Sequence, residues 1–170
     1  HVPCVRSSGN DEAMTTYTFY DVLEDPDEYV SSILEKEFFD FFDGVSTFKN
    51  VLKLEPDYVT DTIEDILDLD LVLSFARQSP ENQNEPNFIH TDDMHGQYTG
   101  ILYLNKAHPS EYGTTLYDED ENPSLIYRAK YNSLFLFPSN IKHSRNMLEN
   151  FGEGDGSRLV QVMFFSLLDD

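Results

Sequence analysis

The most informative stretch of the chain is Asn87-Phe88-Ile89-His90-Thr91-Asp92-Asp93-Met94-His95. In an extended strand, residues two apart point to the same side. His90 and Asp92 would therefore direct an imidazole and a carboxylate into one space, with Thr91 turned away. These groups make up most of a mononuclear metal site if a second histidine comes from elsewhere in the chain. A His-x-Asp tripeptide alone is weak evidence, because most such tripeptides are ordinary strand or loop residues.

Length and composition indicate a single folded domain. The chain has 170 residues, of which 39% are hydrophobic and 14% aromatic, and this is enough to bury a core. We expect one domain over residues 1–170, with a loose lead-in at 1–15. No stretch approaches the ~18 apolar residues of a membrane span. The single cysteine, Cys4, suits a reducing compartment, so the expected location is the cytoplasm, with no membrane partner.

The net charge of −21 restricts the expected partners. So acidic a chain is a poor match for a nucleic-acid backbone, and we expect no nucleic-acid partner. A basic peptide or protein is compatible with this charge, although plain solubility or a saline habitat explains the charge equally well.

Two helices are predicted in the first half of the chain. A strand at Thr16–Leu23, rich in β-branched and aromatic residues, leads to Asp25, which can cap a helix with Pro26 in its first turn. Apolar residues then recur at helical spacing, and we expect this helix to end at Gly44. A second, shorter helix is predicted over 61–69.

From residue 70 onward the pattern predicts short strands separated by turns rich in proline and glycine. The expected strands are Leu71–Phe75, Tyr98–Asn105, Thr114–Tyr117, Ser124–Ala129, Ser133–Phe137, Ile141–Met147 and Arg158–Leu168. A loop from Ser79 to Pro86 follows the first of them. No helical pattern separates the later strands, which argues against a βαβ arrangement. The predicted fold class is therefore α+β, with helices backing an antiparallel sandwich or barrel.

A second histidine ligand is available downstream. His143 follows the apolar run Leu134–Phe137 and a turn, so a strand end could present it to His90 and Asp92. Two histidines and one carboxylate leave open coordination positions on a metal ion, an arrangement that suits non-haem Fe(II). The alternative is that His143 is an ordinary surface loop histidine.

Three nearby or similar residues are expected to lie outside this metal site. Asp93 falls on the opposite strand face from Asp92, and His95 is expected at a mobile rim. His108 is next to Pro109 and is interpreted as a loop residue.

Polar residues on two strands could line the same space as the metal. Arg158 opens the last apolar strand, and an inward-facing arginine needs a partner because an unpaired buried charge is costly. A dicarboxylate would satisfy the guanidinium by a planar, two-point contact. The alternative is a strand-end arginine that reaches solvent. Tyr103 shares a strand face with Thr99, so both hydroxyls could line one cavity, although a core tyrosine is the ordinary interpretation.

The order of these features resembles that of the 2-oxoglutarate- and Fe(II)-dependent oxygenases, and within them the prolyl 4-hydroxylase-like branch. The family has a His-x-Asp motif, a Tyr-Leu-Asn strand, a Gly-Gly-x-Thr-like turn, a distal histidine and a basic residue on the next strand. The matching residues are His90-Thr91-Asp92, Tyr103-Leu104-Asn105, Gly113-Thr114-Thr115-Leu116-Tyr117, His143 and Arg158. The resemblance covers roughly residues 16–168 in order, which makes it more specific than any single motif.

The resemblance implies an enzyme with a double-stranded β-helix, which is a jelly-roll core backed by N-terminal helices. It implies that His90, Asp92 and His143 hold Fe(II). The implied reaction uses O2 to hydroxylate a substrate C–H bond while 2-oxoglutarate is decarboxylated to succinate and CO2, with ascorbate as a further cofactor of the branch. Peptidyl proline is the branch's commonest target, small molecules are the other substrate class, and small acidic members occur in phages and marine bacteria.

The resemblance also implies how the cosubstrate is held. Arg158 would pair with the distal carboxylate of 2-oxoglutarate, helped by Tyr103 and Thr99. The turn departs from the family in having Tyr112 where a glycine pair would begin, and Arg145 is a nearer rival to Arg158 or a substrate contact.

A second class of function uses the same three ligands. A non-catalytic jelly-roll protein could hold Zn or Mn through them and serve a structural or partner-binding role, without needing Arg158 or Tyr103. A nucleic-acid demethylase of the same superfamily is a third option, and the net charge of −21 argues against it.

Overall fold

A computed structural model of the protein describes residues 4–8, 15–42, 44–45, 47–85 and 87–168. Its strands are β1 (Cys4–Ser8), β2 (Thr16–Tyr20), β3 (Phe39–Phe42), β4 (Thr47–Lys53), β5 (Leu69–Ser79), β6 (Tyr98–Tyr103), β7 (Gly113–Tyr117), β8 (Pro123–Arg128), β9 (Ser133–Pro138), β10 (His143–Arg145) and β11 (Arg158–Leu167). Among the described residues its helices are α1 (Pro26–Leu34) and α2 (Tyr58–Leu67), and a 3-10 turn covers Gly154–Gly156.

The strands form two antiparallel sheets. The larger sheet has eight strands in the order β1-β2-β9-β6-β11-β5-β4-β3, and the smaller has the order β10-β7-β8. Strand β11 lies between β5 and β6 and pairs antiparallel with both. It is therefore near the middle of the larger sheet. Two helices with two antiparallel sheets confirm the predicted α+β class.

The larger sheet is apolar on both faces because successive side chains along each strand point to opposite sides. Leu136 of β9 packs on one face in a cluster that contains Ile33 of α1 and Ile63 of α2. Its neighbour Phe135 points the other way, into a cluster that contains Leu116 of the smaller sheet. The helices therefore back one face, and the two sheets enclose a space on the other.

The first helix starts where its capping residues predict but ends early. Asp25 Oδ1 accepts a hydrogen bond of 3.1 Å from Glu28 N at the start of α1. The predicted continuation to Gly44 is wrong, because α1 ends at Leu34 and Phe39–Phe42 form strand β3. This aromatic segment pairs with β4, a strand absent from the prediction, and pairing with a distant strand outweighs the helical spacing of its apolar residues.

The second helix is shifted towards the N-terminus of its predicted span. Asp57 and Thr60 form a capping box at the start of α2, so the helix begins at Tyr58 instead of residue 61 and ends at Leu67. Asp68 follows in a left-handed conformation with φ of 52°, and β5 begins directly after it.

The predicted loose lead-in at 1–15 is wrong for part of its length. Cys4–Ser8 form strand β1, which pairs antiparallel with β2 at the edge of the larger sheet. Residues 1–3 and 9–14 lie outside the described residues, as does Pro86 at the end of the predicted loop. Among the helices that the structure describes, none is long and apolar enough to cross a membrane.

Candidate metal centre

The three proposed metal ligands converge at one end of the space between the sheets. His143 Nε2 lies 2.9 Å from Asp92 Oδ2, and His90 Nε2 lies 3.6 Å from Asp92 Oδ1. One ligand atom from each of the three residues lies within 4.8 Å of the others. His143 is buried, whereas His90 and Asp92 are half-buried. The site is therefore reachable from solvent on the side of the His-x-Asp segment.

Backbone hydrogen bonds place the His-x-Asp segment against the distal histidine. His90 N donates to His143 O at 3.0 Å, and His143 N donates to His90 O at 2.8 Å, which forms an isolated antiparallel bridge. Asp92 N donates to Ser139 O at 2.8 Å. The extended strand expected around His90 is thus a single bridge within a loop, and Thr91 is exposed as predicted.

Each imidazole is held in its orientation by a hydrogen bond from Nδ1, the ring nitrogen that does not face Asp92. His90 Nδ1 lies 2.9 Å from Phe88 O, and His143 Nδ1 lies 2.9 Å from Ile141 O. A carbonyl oxygen only accepts, so each Nδ1 donates a hydrogen bond to its carbonyl, and each Nε2 is the ring nitrogen that faces Asp92 and would coordinate a metal. This is how metal-binding histidines are usually supported. The donor set of two Nε2 atoms and one carboxylate therefore fits an Fe(II) ion.

Electrostatics favour a neutral His90 ring and an ionised Asp92 carboxylate. Burial, with the adjacent His143, lowers the pKa of His90, so its ring stays neutral to more acidic pH than a free imidazole. Burial alone would raise the pKa of Asp92, but the hydrogen bond from His143 and the nearby histidines hold this pKa below its ordinary value. Asp92 is therefore ionised at neutral pH.

A cavity of about 320 Å³ extends from the metal ligands towards the far end of the two sheets. Thr99 and Arg158, both predicted to contact a cosubstrate, line it. The Thr99 hydroxyl lies 2.8 Å from that of Ser139. The size of the cavity is at the lower end for small-molecule sites.

Arg158 points into this cavity without an ionic partner. Val162 and Phe164, which lie on the same strand face as Arg158, also line the cavity. Arg158 Nη1 donates to Ser79 Oγ at 3.5 Å, and within the described part of the chain no carboxylate forms a salt bridge with it. Its charge is therefore available to an anion that enters the cavity.

Tyr103 lies one layer behind the cavity wall. The side chain is fully buried, and its hydroxyl lies 2.6 Å from Thr114 Oγ1. Thr114 lines the cavity, whereas Tyr103 is not among the residues that line it. Burial raises the pKa of the Tyr103 hydroxyl well above its ordinary value, so the hydroxyl stays protonated. Tyr103 therefore reaches the cavity through Thr114.

Two charged residues in the cavity wall, Arg77 and Glu85, were not assigned to it from the sequence. Arg77 Nη2 lies 2.7 Å from Glu85 Oε1, and both side chains line the cavity together with Arg145. Arg145 was considered as a rival for the carboxylate or as a substrate contact, and nothing in the Pro/Asn-rich loop around Glu85 signals a buried glutamate. The only local signal for Arg77 is its place soon after the apolar run at 71–75, where β5 continues.

The residues that the sequence placed outside the metal site have three different positions. Asp93 is exposed and accepts a 3.0 Å hydrogen bond from Thr91 Oγ1, away from the ligands. His108 Nδ1 lies 2.8 Å from Pro109 O in its loop. His95 was expected at a rim, but its ring stacks on Phe164 at 4.9 Å between centroids and forms part of the cavity wall.

Comparison with known proteins identifies the fold. No protein-family model matches the sequence, and no curated protein sequence matches it. The viral collagen prolyl hydroxylase vCPH from Paramecium Bursaria Chlorella virus-1 superposes with a TM-score of 0.61 at 10% identity, over 91% of this chain and 90% of that one.

Two further solved structures agree with this result. The non-heme alpha ketoglutarate dependent epimerase SnoN from nogalamycin biosynthesis gives a TM-score of 0.58 at 13% identity, over 88% of this chain and 77% of that one. HygX from Streptomyces hygroscopicus with iron bound gives 0.55 at 10% identity, over 92% and 83%. The chain therefore has the double-stranded β-helix fold of the 2-oxoglutarate- and Fe(II)-dependent oxygenases, as its sequence motifs predict, and a prolyl hydroxylase is among the similar structures.

Proposed function

We propose that the protein is an Fe(II)- and 2-oxoglutarate-dependent dioxygenase that hydroxylates a C–H bond of a peptidyl residue, proline included, or of a small molecule. The observation that carries this proposal is the position of Arg158. An arginine without an ionic partner in the described chain shares one cavity with the His90, Asp92 and His143 ligands.

The three ligands would hold Fe(II) from one side. The two Nε2 atoms and the Asp92 carboxylate would supply three ligands, and three protein ligands would leave positions for exogenous ones. When bound, the iron with 2-oxoglutarate and O2 would supply the oxidising chemistry that couples decarboxylation to hydroxylation. The carbonyls of Phe88 and Ile141 keep both rings in the tautomer that this coordination requires.

Arg158 would bind the distal carboxylate of 2-oxoglutarate. A guanidinium presents two parallel N–H donors to a carboxylate, and the cavity wall around Arg158 is apolar on the side of Val162 and Phe164. Thr114 would add a hydroxyl to the same site, and Tyr103 would orient that hydroxyl through its 2.6 Å hydrogen bond. Thr99 lines the cavity further along β6.

The apolar wall would keep the reaction away from bulk water. Ile101, Phe75, Val162 and Phe164 line the cavity between the ligands and the arginine. Excluding water strengthens the charge contacts inside such a site and protects its reactive species from side reactions.

A non-catalytic metal-binding role would require the three ligands but not the rest of the cavity. Such a protein has no use for an arginine whose charge lacks an ionic partner at the end of the same cavity, and burying that charge is costly. The position of Arg158 therefore favours the oxygenase.

The direct test is anaerobic reconstitution with Fe(II) followed by a 2-oxoglutarate titration. Bidentate chelation of the iron by 2-oxoglutarate gives a metal-to-ligand charge-transfer absorption band. We expect this band at stoichiometric iron, and we expect the His90→Ala variant to lack it. Folded, iron-loaded protein that showed no band at saturating 2-oxoglutarate would overturn the proposed function.

A further inference from the structure

Arg145 is a second cationic group in the cavity that lacks an acidic partner in the described part of the chain. Arg145 Nε donates to Met147 O at 3.1 Å, and Nη2 donates to Glu85 O at 2.5 Å and to Leu148 O at 3.1 Å. All three acceptors are neutral carbonyls. They fix the guanidinium in place without neutralising it.

The neighbouring carboxylate of Glu85 is already committed. Its Oε1 pairs with Arg77 at 2.7 Å, and its Oε2 accepts from Asn150 Nδ2 at 2.6 Å and from Gln83 Nε2 at 3.0 Å. Only 4% of the Glu85 side chain is exposed, against 23% for Arg77. Glu85 and Arg77 therefore form a largely buried pair that neutralises itself.

Three guanidinium groups nevertheless lie close enough to affect one another. Arg158 is opposite Ser79 in the β5–β11 ladder, so Arg77 is its diagonal neighbour on the same face, with roughly 7–8 Å between the two positions. Burial, followed by repulsion from Arg158, lowers the pKa of Arg145 below its ordinary value, while Glu85 opposes this shift. Arg145 thus belongs to the same charged end of the cavity as Arg158.

The charged groups at this end of the cavity carry a net positive charge. Three arginines and one glutamate leave two positive charges, carried by Arg145 and Arg158. The distal carboxylate of 2-oxoglutarate on Arg158 would remove one of them. One positive charge, that of Arg145, would remain beside the bound cosubstrate. The exposed Glu81 and Glu149 lie in a depression on the outer side of Arg145, where solvent screens them.

The rest of the cavity offers an aromatic surface. Phe48, Phe75 and Phe164 line it, and the His95 ring packs between Phe48 and Phe164, with centroid distances of 5.6 and 4.9 Å. The exposed ring of Phe88 packs on His90 at 4.9 Å where the cavity opens. A ligand that covers this surface needs an apolar body.

We propose that the substrate oxidised at this site is a small carboxylate with an apolar, aromatic-sized body, whose carboxylate binds Arg145 while the body packs against Phe48, Phe75 and Phe164. This rests on the proposed function, since it assigns Arg158 to 2-oxoglutarate. A cavity of about 320 Å³ accommodates a small molecule beside the cosubstrate and leaves little room for a chain segment.

The overall charge of the chain favours a basic ligand, whereas the proposed substrate is a carboxylate. A chain with a net charge of −21 attracts basic partners at its surface, whereas the inner end of this cavity has the opposite sign. Exposed charges are screened within about 8–10 Å at physiological salt, so the half-buried arginines that line the cavity determine what binds inside. Salt should therefore speed the entry of an anionic substrate by screening the acidic surface.

The test measures binding to the Zn(II)-loaded protein in saturating 2-oxoglutarate, where no turnover occurs. Phenylacetate, phenylacetamide and phenethylamine carry the same ring with negative, neutral and positive ends. We expect phenylacetate to bind at least about tenfold more tightly than the other two in calorimetric titrations. Arg145→Gln should abolish this preference while 2-oxoglutarate affinity stays unchanged, and the loss of its three carbonyl hydrogen bonds should lower the thermal unfolding midpoint. Arg145→Lys should retain part of the preference.

The possible outcomes separate this inference from the proposed function. Failure of 2-oxoglutarate to bind the metal-loaded protein overturns the proposed function itself. Normal 2-oxoglutarate binding with no preference for phenylacetate overturns only the substrate class. A loss of 2-oxoglutarate affinity in Arg145→Gln would show that Arg145 serves the cosubstrate, and tighter binding of a capped Gly-Glu-Gly peptide than of phenylacetate would overturn the small-molecule assignment. If Arg145→Gln unfolds, Arg145→Lys, which keeps the charge but not the guanidinium fork, decides the role of Arg145 by the same ratio.

Discussion

The main chains of His90 and His143 exchange two hydrogen bonds, of 3.0 and 2.8 Å, and their rings lie 4.4 Å apart between centroids. Two histidines that are distant in sequence are therefore fixed relative to each other by backbone, before any metal binds. Each ring is held again by a carbonyl at its Nδ1 atom. Such preorganisation lowers the cost of assembling the site.

Replacement of the buried ligand should remove metal binding without unfolding the protein. We expect His143→Ala to weaken Fe(II) affinity by more than about 100-fold, since changes to outer groups that merely support a ligand already cost 10–100-fold. His108→Ala is the matched control, because His108 lies in a loop outside the site. Anaerobic metal titration measures both variants, and equal losses of affinity would contradict the ligand assignment.

A comparison of two buried tyrosines separates the role of the Tyr103 hydroxyl in 2-oxoglutarate binding from its contribution to the stability of the fold. Tyr103 bonds to Thr114 and Tyr127 to Ser133, both at 2.6 Å, but only Thr114 lines the cavity. Tyr103→Phe and Tyr127→Phe should each lower the free energy of unfolding by about 1 kcal/mol. Only Tyr103→Phe should weaken 2-oxoglutarate binding. A similar loss of 2-oxoglutarate affinity in both variants would show that the effect is structural.

The Glu85–Arg77 pair should make part of the stability depend on pH. Burial would raise the pKa of Glu85, but Arg77 and hydrogen bonds hold this pKa below its ordinary value of 4.5. A carboxylate with a lowered folded pKa stabilises the protein above its unfolded pKa, and this stability is lost as pH falls through the folded pKa. Relative to wild type, Glu85→Gln should therefore cost about 3 kcal/mol at neutral pH.

The pH dependence of this stability difference tests whether the folded pKa of Glu85 is lowered. The difference in free energy of unfolding between wild type and Glu85→Gln should shrink as pH falls below about 4.5, measured by urea denaturation at several pH values. A difference that grew on acidification would show that Glu85 is protonated in the folded protein. The side-chain amides of Asn150 and Gln83 both donate to Glu85 Oε2. They can donate to the ionised and to the protonated carboxyl group, so they do not reverse this trend.

Gly113 should be irreplaceable at the start of β7. Its φ is 148°, and an added Cβ would overlap the Tyr127 carbonyl oxygen in the neighbouring strand β8. We expect Gly113→Ala to lower the free energy of unfolding by at least about 2 kcal/mol. Gly156→Ala is the control, since a Cβ at Gly156 would meet open space. Equal thermal unfolding midpoints for the two variants would show that β7 can adjust.

The second half of the fold could be predicted from sequence because its strands are short, apolar and separated by turns. Leu134–Phe137 and the strand beginning at Arg158 are found where their apolar runs place them. The segment at 39–42 could not be predicted in this way. Its aromatic residues continue the helical spacing of α1, and only pairing with β4 makes them a strand. β1 likewise depends on its partner β2.

The candidate site residues were predicted from motif order more than from geometry. His90, Asp92, His143, Thr99 and Arg158 lie where a shared cavity requires them. The sequence could not show that Tyr103 acts through Thr114, because that depends on the smaller sheet packing against β6. It also could not show the inward position of His95, which depends on stacking with Phe164 of the C-terminal strand.

The most direct test separates metal binding from cosubstrate binding. Arg158→Ala should weaken 2-oxoglutarate binding to the Fe(II)-loaded protein by about 10- to 100-fold, the loss of a charged two-point contact, and should leave Fe(II) affinity unchanged. Arg128→Ala removes an exposed arginine that bonds Ser110 O and should change neither affinity. Unchanged 2-oxoglutarate affinity in Arg158→Ala, or a parallel loss of iron, would contradict a cavity with a metal centre at one end and a carboxylate site at the other.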